Sequence, residues 1–445
     1  MNKKFLIPFI LLGFVCCLGL VTNPTENLTT TATTISGADI AWMLTAAGLV
    51  LLMTPGLSFF YGGMVSKKNI ISTMLQSFIS MGVITVLYVF VGFSLSFGDS
   101  FHGIIGNPFT YFMFRNVGAD PVPAISPTIP LLLFAVFQLK FAIITPALIT
   151  GSFAERVRFN AYLLFICLFS LFIYAPLAHW TWHPDGFLHK WGILDFAGGT
   201  VVHMSAGYAA LAGAMILGRR KAYGEEKQPE PANIPFVILG AGMLWFGWFG
   251  FNAGSSLGAN STAVMAFATT VAASASAMMS WIFFDAVRGK KVSALGACIG
   301  AVVGLVAITP AAGYVNVPQA LFIGFIAAII SNLAVGAKNN TDLDDTLDVF
   351  PCHGVGGITG MIMTGIFAKD VGLYYGQWHT FLFHMLGLVI VSIYTFGGSY
   401  ILYKITDKIV PLRVSEQDEM DGLDFTQHGE VYKLKRPTQQ PVTVN

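Results

Sequence analysis

Residues 195–216 read DFAGGTVVHMSAGYAALAGAMI, an apolar run that contains one histidine, His203. A similar run, DVFPCHGVGGITGMIMTGIF, covers residues 348–367 and contains His353. At a rise of about 1.5 Å per residue, a helix of this length crosses a hydrocarbon core about 30 Å thick. Because a single segment in lipid satisfies its backbone polar groups only as a helix, both runs are predicted to be membrane-spanning helices.

The composition of the whole chain agrees with that prediction. Of the 445 residues, 55% are hydrophobic and 11% are charged, against about 25% charged in an average soluble domain. This excludes a soluble globule and a disordered chain. The net charge of +1 provides no basic face, so no nucleic-acid partner is expected. The five cysteines form no CxxC pair and no even set in loops, which argues against a zinc site or a disulfide framework.

Eleven long apolar segments follow one another after the N-terminal leader. They are too long and too poor in charge for the core of a soluble domain, so we predict an all-α polytopic membrane protein with eleven transmembrane helices. The predicted segments lie near 39–64, 70–96, 128–154, 159–180, 195–217, 233–253, 260–285, 292–310, 317–336, 349–368 and 380–405.

The leader has the pattern of a secretory signal peptide. Lys3 and Lys4 precede a short apolar run, and a polar Thr/Asn-rich stretch follows it. An uncleaved signal anchor is the alternative. The predicted organisation is a signal peptide at 1–22, an extracytoplasmic segment at 23–37, a transmembrane domain at 38–408 and a cytoplasmic tail at 409–445.

The distribution of lysine and arginine predicts the orientation. With the mature N-terminus outside, eighteen of the 24 basic residues lie on the inner side, while Arg115, Lys190 and Lys369 lie outside. Basic residues collect on the cytoplasmic side of membrane proteins. The predicted topology is therefore N-out and C-in, in the cell (inner or plasma) membrane.

The two histidines occupy corresponding places in the predicted topology. Each belongs to the fifth helix of a set of five, the two sets run in opposite directions, and a Gly pair lies near each histidine (198–199 and 356–357). This arrangement is typical of a five-plus-five inverted repeat with its site at the repeat interface. Two histidines offer too few ligands for a metal ion, whereas imidazole handles protons near neutral pH. The alternative is that His203 and His353 only make interhelical hydrogen bonds.

Aromatic and hydroxyl side chains near other span ends suggest a cation site. Phe141, Phe251, Ser255 and a tryptophan, Trp180 or Trp182, would suit a small cation at an outer mouth above an apolar constriction. Taken alone, tryptophan at a span end is more often an interface anchor. Lys140 is the one basic residue within a predicted span, and its partner cannot be named from the sequence.

Several longer motifs together resemble the ammonium transporter family (Amt/Mep/Rh), with the bacterial-type Amt proteins the most similar. The resemblance covers about 38–433. It rests on PGLSFFYGGMVSKKN (55–69), DFAGGTVVHMSAG (195–207), GWFGFNAGSS (247–256), DVFPCHGVGGITG (348–360) and LRVSEQDEMDGLDFTQHGEVY (412–432).

The resemblance implies roles for four residues of a pore. His203 and His353 match the twin histidines that line the family's hydrophobic pore. Phe141 and Phe251 match its stacked phenylalanine gate.

The resemblance also implies an outer site. Trp182 and Ser255, with Phe141, match the residues that recruit ammonium, and Asp195 matches the acidic residue that supports this site structurally. The family usually has one tryptophan here and an uncharged residue at the position of Lys140.

Partners and mechanism follow from the same resemblance. Family members are homotrimers, and many bacterial ones are closed by a cytoplasmic PII signal protein, although nothing in the loop 219–232 is diagnostic of such a partner. The tail is expected to pack under neighbouring subunits. Ammonium would be recruited, deprotonated and conducted as ammonia, with or without separate proton transfer. No catalytic residue, metal or cofactor is expected. An Amt-like ammonium sensor or, less readily, a cation channel would be the alternative.

Overall fold

The computed structural model describes residues 5–22, 29–223 and 230–432. Lys3, Lys4, part of the predicted extracytoplasmic segment, Lys227 and the last thirteen residues of the predicted tail lie outside them. Within the described residues the chain is predominantly helical. The helices are α1 (Leu6–Val21), α2 (Gly37–Met64), α3 (Ile70–Leu87), α4 (Phe93–Phe97), α5 (Leu131–Ile149), α6 (Phe159–Phe169), α7 (Ala175–Trp182), α8 (Phe187–Lys190), α9 (Ser205–Leu217), α10 (Ile234–Gly254), α11 (Ser261–Val287), α12 (Ala294–Ile308), α13 (Val317–Asn339), α14 (Val355–Phe367), α15 (Trp378–Ile409), α16 (Glu416–Asp421) and α17 (Leu423–His428).

Short stretches of wider or tighter helix join several of these elements. π-helical turns lie at Tyr88–Gly92, Ser170–Tyr174, Gly199–Met204 and Phe350–Gly354, and 3-10 turns lie at Phe112–Phe114, Thr150–Phe153 and Leu373–Tyr375. Two of the π turns contain the two predicted pore histidines. Such turns interrupt the regular ladder and are frequent at functional sites.

Nine helical stretches of the described residues are long and apolar enough to cross a membrane. They coincide with predicted segments one to seven, nine and eleven. The eighth predicted segment holds α12, with 15 residues, and the tenth holds the π turn at Phe350–Gly354 followed by α14. α1 is an apolar helix of 16 residues, none of which is buried.

A short pair of strands lies at the end of the bundle that contains α7 and α8. The strands β1 (Ser100–Phe101) and β2 (Ile105–Gly106) form an antiparallel pair with Ser100 opposite Gly106. The loop around them is held to α7, since Trp180 donates from Nε1 to the carbonyl of Ile104 at 2.6 Å.

The C-terminal segment packs against the opposite end, which we call the tail end. Lys68 donates from Nζ to the carbonyl of Met420 at 2.6 Å, and the backbone N–H of Ser72 donates to Asp424 at 2.7 Å. Gln427 accepts from the N–H of Phe159 at 2.7 Å. The described part of the tail is therefore ordered against its own chain.

A buried ion-pair network lies at the same tail end. Arg220 donates to Glu155 at 2.8 Å and to Asp344 at 2.9 Å, and all three side chains are largely buried. Burial by itself raises the pKa of Glu155, but the Arg220 guanidinium and the hydrogen bonds outweigh it and hold that pKa below its usual value. One guanidinium, that of Arg220, thus compensates two buried carboxylates at this end.

Candidate functional site: a gated apolar passage with two histidines

Asp195 organises the start of the segment that carries His203. Its carboxylate accepts the backbone N–H groups of Gly198, Gly199 and Thr200 at 2.8, 2.6 and 2.7 Å, and the Thr200 hydroxyl at 2.5 Å. These N–H groups would otherwise be orphans of a helix start. Gly198 has φ +123°, where a side chain would meet Val202. The aspartate and the glycine together fix how this segment enters the bundle.

An equivalent carboxylate starts the segment that carries His353. Asp345 accepts the N–H groups of Val349 and Phe350 at 3.1 and 2.7 Å. Burial raises the pKa of Asp345 to about 6, although those bonds work in the opposite direction. Asp345 precedes His353 by eight residues, the spacing that separates Asp195 from His203. The equal spacing is visible in the sequence and could have indicated Asp345, which was not among the predicted site residues.

The two histidines meet in the interior of the bundle. Nδ1 of His203 lies 3.3 Å from Nδ1 of His353, and their ring centroids are 5.4 Å apart. Their exposures are 1% and 4%. The close approach is possible because residue 207 is glycine and has no Cβ. A Cβ at Gly207 would lie only 2.3 Å from the Cα of Gly354. Two small residues thus bring the histidine-bearing segments together.

Two residues that the sequence analysis did not single out hold His203. Thr309 Oγ1 lies 3.3 Å from Nε2 of His203 and accepts a hydrogen bond from Nε1 of Trp248 at 2.9 Å. The indole of Trp248 also stacks on His203, with centroids 5.4 Å apart. Trp248 lies within the motif 247–256, so the sequence drew attention to the segment that contains it. Thr309 lies in none of the quoted motifs, and nothing in the sequence distinguished it.

The predicted phenylalanine pair forms a constriction beside His203. The rings of Phe141 and Phe251 have centroids 4.3 Å apart at an interplanar angle of 36°, and both are almost completely buried. Phe251 also lies against His203, with centroids 6.0 Å apart. The order Phe141, Phe251, His203, His353 is therefore a continuous row of ring contacts through the bundle.

Trp182 and Ser255 lie at one end of this row. Trp182 packs edge-on against Phe141 with centroids 5.7 Å apart, and its Nε1 donates to the carbonyl of Asp195 at 3.1 Å. Ser255 donates to the carbonyl of Phe251 at 2.8 Å, which leaves its lone pairs free to accept. Both side chains are half-buried. All the predicted recruitment residues are thus close to the same end of the passage.

Trp180 lies elsewhere. It is buried, and its ring packs against Phe187 of α8 and Tyr394 of α15. Of the two candidate tryptophans, the structure therefore brings Trp182 into contact with the passage.

Two adjoining cavities continue the passage. The first is lined by Phe251, Trp248 and both histidines. The second is lined by Tyr61, Cys352 and His353, so His353 borders both cavities. Most of the remaining lining is aliphatic, so a solute in these cavities would meet imidazole nitrogens in apolar surroundings.

Lys140 lies half-buried on α5, next to Phe141 in the sequence. No hydrogen bond or ion pair joins its ammonium to another residue in the part of the chain that the structure describes. Nor do those residues contain a group of three or more His, Cys, Asp or Glu side chains that could hold a metal ion.

The fold and the site define a class: a polytopic, apolar-helix membrane protein with a close phenylalanine pair beside two buried histidines. Comparison with known proteins names the family. Residues 41–433 match the model of the Ammonium Transporter Family, and the chain belongs to it.

Individual relatives agree over most of the length. The chain is 46% identical over 399 residues to an ammonium transporter of Aquifex aeolicus, covering 88% of this chain and 92% of that protein. The crystal structure of Saccharomyces cerevisiae Mep2 is similar with a TM-score of 0.81 and 33% identity, covering 86% of this chain and 88% of that one. A structure titled Sensor Amt Protein is similar with a TM-score of 0.81 and 30% identity, covering 88% and 98%.

Proposed function

We propose that the protein transports ammonium by capturing it at an aromatic mouth and conducting ammonia through the passage. The observation that carries this proposal is the unbroken row from Trp182 through Phe141 and Phe251 to His203 and His353. It combines a cation-attracting entrance with an interior that has no charged side chain in the row.

Recruitment takes place at the mouth. The faces of Trp182 and Phe141 attract a cation by about 0.5–2 kcal/mol, most strongly where water is excluded. Ser255 can accept a hydrogen bond from ammonium because its own hydrogen is directed to Phe251. Potassium, of similar size and charge, cannot donate that bond. Asp195 supports the mouth through its backbone carbonyl, which holds Trp182.

Deprotonation follows from the constriction. A bare cation between Phe141 and Phe251 would lose its hydration without a counter-charge, which is strongly unfavourable. Desolvation also lowers the pKa of a cationic acid. Ammonia therefore passes the two rings, leaving its proton to water at the mouth or to the histidine pair, and beyond the rings the pair offers ammonia an imidazole nitrogen. Transfer of the proton along the histidine pair would make transport electrogenic.

The wider assignments belong to the same proposal. Eleven spans, with α12 and the α14 segment completing the set, would give an N-out, C-in protein of the cell membrane. The matching aspartate-to-histidine spacings support a five-plus-five inverted repeat. We retain 1–22 as a signal peptide, 23–37 as an extracytoplasmic segment, 38–408 as the transport domain and 409–445 as the cytoplasmic tail. Assembly as a homotrimer and closure by a PII protein, with the tail coupling neighbouring subunits, complete it.

Membership of a transporter family favours transport over enzyme catalysis. An ammonium sensor is the second candidate, favoured by the similarity to the structure titled Sensor Amt Protein. Uptake of methylammonium in cells that lack their own transporter separates the two. Transport predicts uptake that ammonium competes away, and a sensor predicts none.

The role of the histidines is tested by ammonium-evoked current in proteoliposomes. His203→Ala and His353→Ala should each change the current or the discrimination against potassium. His379→Ala is a matched control, since His379 is exposed at the start of α15. Current and selectivity that stay at wild-type values in both pore variants would disprove the role of the pair.

A further inference from the structure

The hydroxyl of Thr309 joins three groups around His203. Its Oγ1 lies 2.7 Å from the carbonyl oxygen of Leu305, 2.9 Å from Nε1 of Trp248 and 3.3 Å from Nε2 of His203. All four residues are buried, with exposures of 2% or less. The direction of each of the three hydrogen bonds therefore depends on which of its two groups carries a hydrogen atom.

Two of the three bonds have a fixed direction. An indole N–H only donates, so Trp248 occupies one lone pair of Thr309. The single hydroxyl hydrogen is directed to Leu305, because that contact is the shortest of the three. The carbonyl of Leu305 lies in the last turn of α12, where the backbone N–H of Thr309 donates to Val306 instead. The hydroxyl thus supplies a donor that the helix end lacks.

The third bond then fixes the tautomer of His203. Thr309 has a lone pair left for this ring but no hydrogen, so Nε2 of His203 carries the proton and donates. In a neutral imidazole the other nitrogen is then a bare acceptor. Because Nδ1 of His203 lies 3.3 Å from Nδ1 of His353, Nδ1 of His353 carries the hydrogen that joins the rings. Nε2 of His353 is left with a free lone pair.

We propose that Thr309, held by Trp248, is a positioning residue that fixes the tautomers of both pore histidines: Nε2–H on His203 and Nδ1–H on His353. This deepens the proposed function and rests on it, since the free lone pair of His353 is then the acceptor that ammonia meets. His353 borders both cavities, so this acceptor belongs to the part of the passage beyond the Phe gate.

The tautomers are measured directly by solid-state NMR of protein labelled with ¹⁵N-histidine in lipid bilayers. Assignment by comparison with His203→Ala and His353→Ala should give a protonated Nε2 on His203 and a protonated Nδ1 on His353. In Thr309→Val, which keeps the shape but has no lone pair, the arrangement should reverse, because Nε2–H of His203 loses its acceptor. Thr309→Ser should retain the wild-type tautomers.

Transport separates positioning from a packing effect. Thr309→Val should lower the maximal rate about tenfold, as expected when one polar group of a buried network loses its partner, and leave the half-saturation concentration at the mouth unchanged. Thr309→Ser should restore the rate. A Val variant that folds poorly leaves the wild-type and Ser measurements decisive.

The opposite tautomers in the wild type, or unchanged tautomers in Thr309→Val, would overturn the inference. A wild-type protein that shows the expected tautomers but moves no ammonium in the same bilayers would instead overturn the proposed function.

Discussion

Trp180 and Trp182 are two residues apart and have different surroundings. Successive residues on a helix point about 100° apart, so positions i and i+2 face nearly opposite sides. Trp180 donates to Ile104 in the loop between β1 and β2, whereas Trp182 contacts Phe141. One indole anchors a loop and the other borders the passage.

Replacing Trp182 should therefore weaken capture of the cation, in addition to removing the hydrogen bond that its Nε1 donates to the carbonyl of Asp195. In Trp182→Leu the cation loses an aromatic face worth about 1 kcal/mol, so the half-saturation concentration for ammonium should rise about fivefold. Concentration-dependent current in proteoliposomes measures it. Trp180→Phe is the comparison: it should keep the half-saturation concentration and lower unfolding stability by about 1 kcal/mol, because the carbonyl of Ile104 loses its donor. Equal half-saturation concentrations in Trp182→Leu and wild type would contradict the assignment.

Some individual site residues could be predicted from the sequence and others could not, and the difference has a physical reason. A histidine inside an apolar run is visible because ionisable groups are rare there. Thr309 was not visible, since threonine is ordinary in a span and its role arises from contacts with α10 and with the His203 segment. The partner of Lys140 could not be predicted either, and none of the described residues forms a hydrogen bond or ion pair with it.

Among the secondary-structure elements, the two helical segments that carry His203 and His353 begin in an unusual way. Neither starts with an ordinary cap followed by regular α-helix. Each has a carboxylate, Asp195 or Asp345, that gathers backbone N–H groups, and then a π turn that carries the histidine. The carboxylate satisfies the donors of the helix start, and the wider turn re-aims the imidazole towards its partner.

Asp195→Asn should damage this start severely. An amide has one acceptor oxygen, and its NH₂ group would face either the N–H groups of Gly198 and Gly199 or the N–H of Thr200, so at least one buried donor would lose its partner. We expect a loss of about 2–4 kcal/mol in unfolding stability, measured by thermal unfolding in detergent, together with loss of transport. Asp185→Asn is a matched control, because the pair of Asp185 with Lys190 is exposed, and its effect should stay below about 0.5 kcal/mol. Equal losses in both variants would show that the Asp195 carboxylate has no special role.

Hydrophobic runs predicted the positions of the helices well and their internal form poorly. Among the described residues, all nine stretches that are long and apolar enough to span a membrane coincide with predicted segments. The π turns could not be foreseen, because the period of an apolar run does not distinguish α from π geometry where every side is buried. α12 ends at Ile308 because Thr309 and Pro310 leave the regular ladder.

At the scale of the whole molecule, charge is separated from the passage. The tail end contains the buried pairs of Arg220 with Glu155 and Asp344 and the docked segment up to residue 432. The sequence predicted that basic residues collect on this side. It could not predict that they are paired across loops and with the tail, since that pairing depends on which loops the bundle brings together.

Docking of the tail should depend on pH through His428. Its Nε2 lies 3.3 Å from the Ser72 hydroxyl, and its ring packs edge-on against Phe159. Burial lowers the pKa of His428 below its usual value, and nearby Asp424 and Glu430 work in the opposite direction. A depressed pKa means that the docked state favours the neutral ring. Its contribution is present above the unfolded pKa of 6.5 and is lost as pH falls.

Asp424 must be neutralised to isolate this effect, because burial raises its pKa and its own contribution is lost as pH rises. In Asp424→Asn the amide oxygen still accepts from Ser72. Hydrogen-exchange protection factors of α17, which remove the intrinsic pH dependence of exchange, should then fall severalfold between about pH 7.5 and about pH 5.5. Adding His428→Gln should make protection nearly independent of pH. If the Asp424→Asn protein keeps constant protection over this range, His428 does not control docking, and other contacts, among them those of Lys68 and Gln427, hold the tail against the bundle.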